Sequence, residues 1–404
     1  MKQVYDLYQE INEDPKFLNN QFRTVHRNKN VLFINPQLNG RHFYKYILPY
    51  IVMWEFDVWE TALSSIDKYK PNKEYEEMNI PLKSREILWA DYIVFPFTHA
   101  SLEKPYQDLK NINPDVKIVF NVDFNYYEIS KKHPHYKKFT EDDAISNIED
   151  NIFYSDLTMV TNSKLSNVLV EKFTKELNKE KYKDKKSNVE ISVFPLLLDE
   201  KIIMENVEID APEIKESQEH ELRVGVVATN YTWEDLDSYK EFFKQAQEKM
   251  GKKVKFIVFG FDGTDHNTKK SCFPSNFEFE NVKPCSIIHY FKQLRNLQLD
   301  LLFVPLRKNE FNVTSENYNK FLEAGLFKIP IMVYDIFPYN EIITNGKNGI
   351  IIQKKKEFVE RLEFFHKNRR ELKRMGEEAH DLVKDNFTYH AGNIPMIDKI
   401  MNKE

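Results

Sequence analysis

Glycine is scarce in this 404-residue chain, with only 10 in all, and none stand at G-x-G-x-x-G or G-x-x-x-x-G-K-[ST] spacing. That excludes the dinucleotide fingerprint and the P-loop, the two phosphate cradles built from glycine-rich backbone. Cysteine is almost absent. Cys272 and Cys285 have no Cys or His cluster beside them to complete a zinc site, and two thiols make no disulfide framework in a chain this long. No apolar run approaches the roughly 20 residues that span a bilayer. The opening MKQVYDLYQEINEDP is polar and acidic, unlike a secretory leader. These absences place the expected location in the cytoplasm, with free thiols. Neither sign of charge dominates: the formal net charge is -5 and 30% of residues are charged, in even mixture, which predicts no dominant nucleic-acid or membrane-binding face. The Lys-rich stretch 175–188 alternates signs and reads as a solvated helix end or loop. His133 and His135 lack acidic or Cys partners at ligand spacing, which argues against a metal there.

What the chain does have is a series of short, branched apolar runs separated by helical spacing. KNVLFINP, then strand character at Tyr92 to Phe95, Lys117 to Val122, Leu157 to Val160 and VEISVFPLLLD, alternate with helices such as the one through Tyr44, Ile47, Tyr50 and Ile51 and one capped by Ser163. A second series follows: LRVGVVATN, VKFIVFGFDG, FEFENV, LDLLFVPL, KIPIMVYD and NGIIIQ, with amphipathic helices over Leu236 to Met250 and Ile287 to Leu297 between them. Strands alternating with helices predict βαβ units around parallel sheets. The expected architecture is α/β, two Rossmann-like doubly wound domains facing across a cleft. The first domain spans 1–205, an acidic linker 206–220, the second domain 221–385, and a final helix 386–404 that crosses back to the first domain. Ligands of such sheets bind outside the carboxyl ends of the strands.

The stretch FNVTSENYNKFLEAGLFKIPIMVYD carries the chemistry. A helix starting near Ser315, after the loop Arg307 to Glu310 at a strand's carboxyl end, would offer unpaired N–H groups to an anion. Arg307 and Lys320 would add cations, and Glu316 and Lys320 would share one helical face. Glu323, acceptor-only when ionised, suits a vicinal diol such as ribose. In the first half, Asp123 at the end of VKIVFNVD is a candidate contact or base for an acceptor hydroxyl, with His99 and Arg41 as further acceptor-side candidates. A turn-forming Asp, a loop His and a helix-start Arg are the ordinary alternatives.

PLRKNEFNVTSENYNKFLEAGLFKIPIMVYDIFPYNEIITNGKNGIII resembles the donor-binding segment of GT-B glycosyltransferases, above all the family 4 and related group 1 enzymes. Pro305, Leu306, Phe311, Asn312, Lys320, Glu323, Ala324, Pro330, Tyr339, Ile343, Asn348 and Gly349 carry the similarity. LRVGVVATNYTWEDL is similar to the family's first nucleotide-domain strand and turn, and YSDLTMVTNSKLSNVL, through Asp156, Thr161, Ser163 and Leu165, to its passage before the crossover. Two departures stand out. Position 315 is serine where many members carry a Glu eight residues before the ribose-binding one, and nothing basic follows the first strand before Lys240.

The resemblance implies transfer of a sugar from a nucleotide-sugar donor to an acceptor hydroxyl, with retention of anomeric configuration and no cofactor or obligatory metal. Arg307, Lys320 and Asp123 take catalytic roles in that reading, and Thr229, Asn312, Glu316, Asn317 and Glu323 bind the donor. The acceptor is open among a glycan, a lipid-linked sugar, a protein and a modified nucleobase. A nucleotide-sugar 2-epimerase and a non-catalytic sugar-nucleotide or glycan-binding subunit are the alternatives. No Asp-x-Asp pair stands at a credible strand end, so donor turnover is expected to survive EDTA. Complete loss restored by manganese would contradict this.

Overall fold

The computed structural model describes residues 6–7, 17–19, 29–35, 39–65, 84–134, 136–140, 143–176, 189–205, 207, 221–265 and 269–401. The expected linker 206–220, apart from Val207, lies outside them, as do His135 and residues 177–188 of the Lys-rich stretch. The described residues form two compact units. One comprises residues up to Asp199, other than Lys132–Pro134, together with the chain from Gly392; the other comprises Lys132–Pro134 and Glu200–Ala391.

In the first unit the strands are Phe17–Asn19 (β1), Asn30–Asn35 (β2), Glu60–Ser65 (β3), Tyr92–Phe95 (β4), Lys117–Val122 (β5), Leu157–Val160 (β6) and Ile191–Val193 (β7). They lie in the order β1-β3-β2-β4-β5-β6-β7, all pairs parallel except β1 with β3. Continuous burial along β4 and β6 reflects a sheet covered on both faces, which is why these strands read as unbroken apolar runs. Strand order reverses between β2 and β4. That places a topological switch point at their carboxyl ends.

Sequence periodicity misses β1 and β3. β3 reads ETALSS, with buried Thr61, Ala62 and Ser64 in place of branched apolar residues, and Thr61 satisfies its hydroxyl by donating to Tyr50 O at 2.7 Å. The segment after β2 is helical from Gly40 to Glu55, but its middle turn, Phe43–Ile47, is π-helical. The expected serine cap at Ser163 is corrected: Ser163 is the first residue of helix Ser163–Glu176, and Asn162 Oδ1 accepts from Leu165 N at 2.9 Å. The amide is the better-placed acceptor because it precedes the first helical residue. Helix Ile394–Met401 belongs to this unit, where Trp59 Nε1 donates to Asp398 Oδ1 at 2.7 Å.

The second unit holds Leu222–Val227 (β8), Val254–Phe259 (β9), Phe279–Val282 (β10), Leu301–Val304 (β11), Ile331–Tyr334 (β12) and Ile350–Ile352 (β13). Their order, β10-β9-β8-β11-β12-β13, is wholly parallel. This is the 3-2-1-4-5-6 arrangement of a doubly wound sheet, with its switch point between β8 and β11. Aromatic side chains fill the core beneath it: Phe243 packs edge-on against Phe256, Phe273, Phe303 and Phe358. The expected helix Leu236 to Met250 is two helices, Trp233–Asp237 and Lys240–Met250, broken at Ser238 and Tyr239.

Helix Asn319–Leu326 is seated by the long helix Arg369–Asn386. Their approach is close enough that a Cβ at Gly376 would meet the carbonyl oxygen of Lys328 at 1.9 Å, and one at Gly325 would meet Val383 Cγ2 at 2.8 Å. Glycine is used here for backbone proximity rather than turn geometry. Gly376→Ala is therefore expected to destabilise the second unit by about 1–3 kcal/mol, as overpacking against fixed backbone does. Guanidinium unfolding followed by circular dichroism checks this, and an unchanged midpoint would contradict it.

Candidate functional site

At the second unit's switch point, the turn after β8 meets the loop after β11. Thr229 caps a single 3-10 turn, Asn230–Thr232, its hydroxyl accepting from Tyr231 N at 3.3 Å while Thr232 Oγ1 accepts from Thr229 N. The turn delivers Glu234 and Asp235 to the start of the next helix. Asp235 is buried, and its Oδ1 accepts three bonds: Arg307 N at 3.0 Å, Arg307 Nε at 2.9 Å and Asn312 Nδ2 at 2.8 Å. Glu234 takes the rest of the guanidinium, at 3.3 Å from Nη2. Burial pushes the Asp235 carboxyl above its ordinary range, against the pull of Arg307 beside it. Arg307, expected as an open cation, is thus held by two carboxylates, with its side chain 30% exposed.

The segment after Arg307 departs from the single helix expected near Ser315. Asn309 caps a helix Glu310–Ser315, its Oδ1 accepting from Asn312 N at 2.8 Å. Glu316 then turns the chain extended, at φ -68° and ψ 150°, and a second helix runs Asn319–Leu326 with Asn317 Oδ1 accepting from Asn319 N at 2.9 Å. Glu316 and Lys320 therefore do not share a helical face. The two amides and the extended residue between them interrupt what spacing alone reads as continuous. Asn312 and Asn317 are structural ties as well as polar side chains at the site.

Lys320 and Glu323 do share a face. Lys320 Nζ lies 2.8 Å from Glu323 Oε2, which also accepts from Tyr290 OH at 2.6 Å, while Oε1 accepts from Asn319 Nδ2 at 3.1 Å. Lys320 Nζ further reaches Tyr290 OH at 3.2 Å. Tyr290 comes from helix Ile287–Asn296 and stacks on Phe259 at the end of β9, fixing its ring. Burial first, then the Glu323 charge, holds its phenol well above the ordinary tyrosine value. Glu323 is only 2% exposed.

Glu316 stands between these groups. Burial, reinforced by the negative Asp235, pushes its carboxyl up to about 8, with Lys320 and the Asn317 amide pulling the other way. Tyr339, one of the residues carrying the family resemblance, is fully buried with its hydroxyl unpartnered, in the field of Glu316 and Glu323. Lys355 completes the group: its ammonium donates to Ser238 O at 3.1 Å and lies 4.6 Å from the Tyr239 ring centroid, and burial followed by the Arg307 charge lowers its pKa. Lys240, the nearest basic residue after β8 in sequence, instead binds Ser271 O at 2.8 Å. Sequence reasoning missed Glu234, Asp235, Tyr290 and Lys355. Only the acidic pair carried a signal, as the first turn of a helix at a strand's carboxyl end.

In the first unit, Asp123 follows β5 and is buried, its Oδ1 2.6 Å from Lys45 Nζ. Lys45 was also missed, although a lone lysine inside FYKYI is unusual for an apolar helix. His99 is half-buried after β4, its ring edge-on to Phe139 and its carbonyl accepting from Asn147 Nδ2 at 3.3 Å. Arg41 lies in the short helix Gly40–His42. Cys272 is buried, which pushes its thiol up to about 12, and Cys285 is exposed. Among the described residues no group of three His, Cys, Asp or Glu is placed to hold a metal, and no helix is long and apolar enough to cross a membrane.

Residues 208–382 match the model of the family described as glycosyl transferases group 1. No curated protein matches the chain by sequence. Among solved structures, alpha-glucosyltransferase (AGT) in complex with UDP is similar at TM-score 0.62 and 12% identity, over 93% of this chain and 100% of that one. Anabaena Alr3699/HepE in complex with UDP and glucose gives 0.58 and 10%, over 93% and 100%. Sucrose-phosphate synthase from Thermosynechococcus elongatus gives 0.55 and 9%, over 91% and 97%. At these identities the likeness establishes the fold, which is GT-B.

The Glu316 carboxyl sets a pH dependence. Its folded pKa of about 8 lies above the ordinary Glu value, so the native state binds a proton that the unfolded chain has released. The resulting stability is fully present below the ordinary Glu range and is lost as pH rises towards and through 8. Glu316→Gln should flatten this slope. Unfolding midpoints of parent and variant from pH 5 to 9 check it, and parallel curves would contradict it.

Proposed function

We infer that this chain, a glycosyltransferase of GT-B fold whose second unit carries the group 1 domain, moves a hexose from a UDP-sugar to an acceptor hydroxyl. The observation that carries the donor half is the clustering of Arg307, Lys320, Glu316 and Glu323 at the carboxyl ends of a 3-2-1-4-5-6 sheet, within the segment that matches the family. A ribose and a diphosphate need a carboxylate and cations a few ångströms apart, and this site has both. Several similar structures hold UDP, one of them with glucose and another as UDP-glucose, which supports the choice of nucleotide and sugar.

The resting hydrogen bonds suggest how the donor is taken up. A carboxylate has about four acceptor directions, and Tyr290, Asn319 and Lys320 already donate to Glu323. A ribose hydroxyl enters most readily by replacing Lys320, whose side chain is 24% exposed. The released ammonium is then free to meet the diphosphate. Its charge matters most as the leaving UDP gains negative charge, an effect on the order of 3 kcal/mol at the transition state. Arg307, aimed by Asp235, contributes a second cation. On the acceptor side, Asp123 accepts a hydrogen bond from the attacking hydroxyl. Retention of configuration and independence of metal, both implied by the family resemblance, complete the reading. One similar structure holds DNA with an HMU base. With a formal charge of -5 this chain lacks the basic excess through which DNA backbones bind, so a glycan, lipid-linked sugar or protein hydroxyl is the favoured acceptor.

Glu323→Gln tests the donor site. Charge-assisted bonds contribute about 1.5–3 kcal/mol, so UDP affinity measured by calorimetry should fall by roughly one to two decades. Lys320→Met should depress turnover of UDP-glucose more than UDP affinity. UDP bound with parental affinity by Glu323→Gln would remove Glu323 as the ribose ligand. Conversion of UDP-glucose to a 2-epimer without an acceptor would replace transfer by epimerisation.

A further inference from the structure

The first unit holds a buried ion pair that no part of the core requires. Lys45 and Asp123 have side chains only 3% and 5% exposed, and their charged atoms are 2.6 Å apart. Removing two charges from water costs several kcal/mol, and an apolar pair of similar volume is often as stable or more so. Packing alone is therefore a poor reason for this pair. Its location supplies a better one. Asp123 directly follows β5, and Lys45 lies in the helix after β2, so the pair gathers at the carboxyl ends of parallel strands beside the switch point between β2 and β4.

The backbone around Lys45 points the same way. Phe43–Ile47 is a π-helical turn inside an otherwise α-helical segment, and Phe43, Tyr44, Tyr46 and Ile47 are all buried. Widening one turn changes the direction of every side chain in it. Such bulges are rare and cluster at functional sites. Here the bulge leaves a single charged side chain among aromatic and aliphatic ones, with its ammonium on the Asp123 carboxylate.

We propose that Lys45 is a positioning residue that holds the Asp123 carboxylate oriented to accept a hydrogen bond from the acceptor hydroxyl. No proton or bond is transferred in this role: the cation fixes one carboxylate oxygen, and the carboxylate orients the nucleophile. The inference rests on the glycosyltransferase reading above and extends it to a residue that no motif marks. Lys45→Met alone removes the lysine cation from a buried carboxylate, and Asp123→Asn alone removes the carboxylate from a buried ammonium; each is destabilising for that reason. The double variant Lys45→Met/Asp123→Asn leaves no unpaired charge.

The full-length protein is assayed for UDP release from UDP-glucose, with water standing in for the acceptor, alongside UDP affinity and thermal unfolding. The expected result is that both single variants and the double variant lose at least tenfold in kcat with KM and UDP affinity within twofold of the parent. The double variant should regain thermal stability over the singles without regaining kcat. Recovery of both stability and kcat in the double variant makes the pair structural and overturns the proposal, as does a double variant no more stable than the singles. Parental kcat in Lys45→Met, with loss confined to Asp123→Asn, removes Lys45 from the role. A parent that releases no UDP from UDP-glucose overturns the donor reading and this inference with it.

Discussion

One carboxylate oxygen ties the second unit's site together. Asp235 Oδ1 accepts from the backbone and the guanidinium of Arg307 and from the Asn312 amide, so the turn after β8 and the loop after β11 are joined across the switch point by a single acceptor. Three donors on one buried oxygen offset only part of the desolvation that burial imposes, which still holds the carboxyl above its ordinary range. The same contacts determine where the chain goes next. With Asn312 held, the helix that Asn309 caps begins at Glu310, the chain turns extended at Glu316, and the following helix brings Lys320 and Glu323 to Tyr290. Without the Asp235 tie, the Arg307 guanidinium would keep only its Glu234 contact, although Asn309 N and Asn312 Nδ2 would still hold the Arg307 carbonyl.

The two units solve related problems with the same elements. Each is built on parallel strands with a reversal of strand order, apart from the antiparallel edge strand β1, and each places a cation against a buried carboxylate at the carboxyl ends of its strands: Arg307 on Asp235 in one, Lys45 on Asp123 in the other. Parallel sheets bury both faces, which leaves strand ends and the first turns of helices as the places where polar chemistry can be assembled. Charged side chains among otherwise apolar neighbours are thus expected at these ends.

Strand positions were legible because doubly covered strands tend to be unbroken apolar runs, and those ending at Phe95, Val304 and Tyr334 are. ETALSS was not, since the buried hydroxyl of Thr61 is satisfied by the Tyr50 carbonyl of the preceding helix and the strand needs no run of apolar side chains. The candidate site was half legible. Lys320 and Glu323 carry the family spacing. Glu316 looked helical because one-dimensional spacing does not register the extended Glu316 that ends one helix or the Asn317 amide that ties the start of the next. Tyr290 and Lys355 were invisible for a different reason: each reaches the site from a distant element, and only the fold sets that proximity.

The scarcity of glycine bears on how such a site must work. Where glycine-rich loops are present, backbone N–H groups approach a phosphate directly and are preorganised before it arrives. This chain has no such loop, and after β8 it offers Thr229, Glu234 and Asp235 in place of cations. Long side chains from elsewhere, Arg307, Lys320 and Lys355, must do the work. Unpaired, three cations near one another would repel, and the structure instead parks Arg307 on carboxylates, Lys320 on Glu323 and Lys355 on a backbone carbonyl. In the proposed function, donor binding at this site is an exchange of partners rather than a filling of a vacant cradle. Each cation gives up a carboxylate or carbonyl for a phosphate oxygen, so the net gain is the difference between two charge-assisted bonds. An interaction of that kind yields modest ground-state affinity and larger gains as negative charge accumulates on the leaving group, which is the distribution that favours turnover over tight binding.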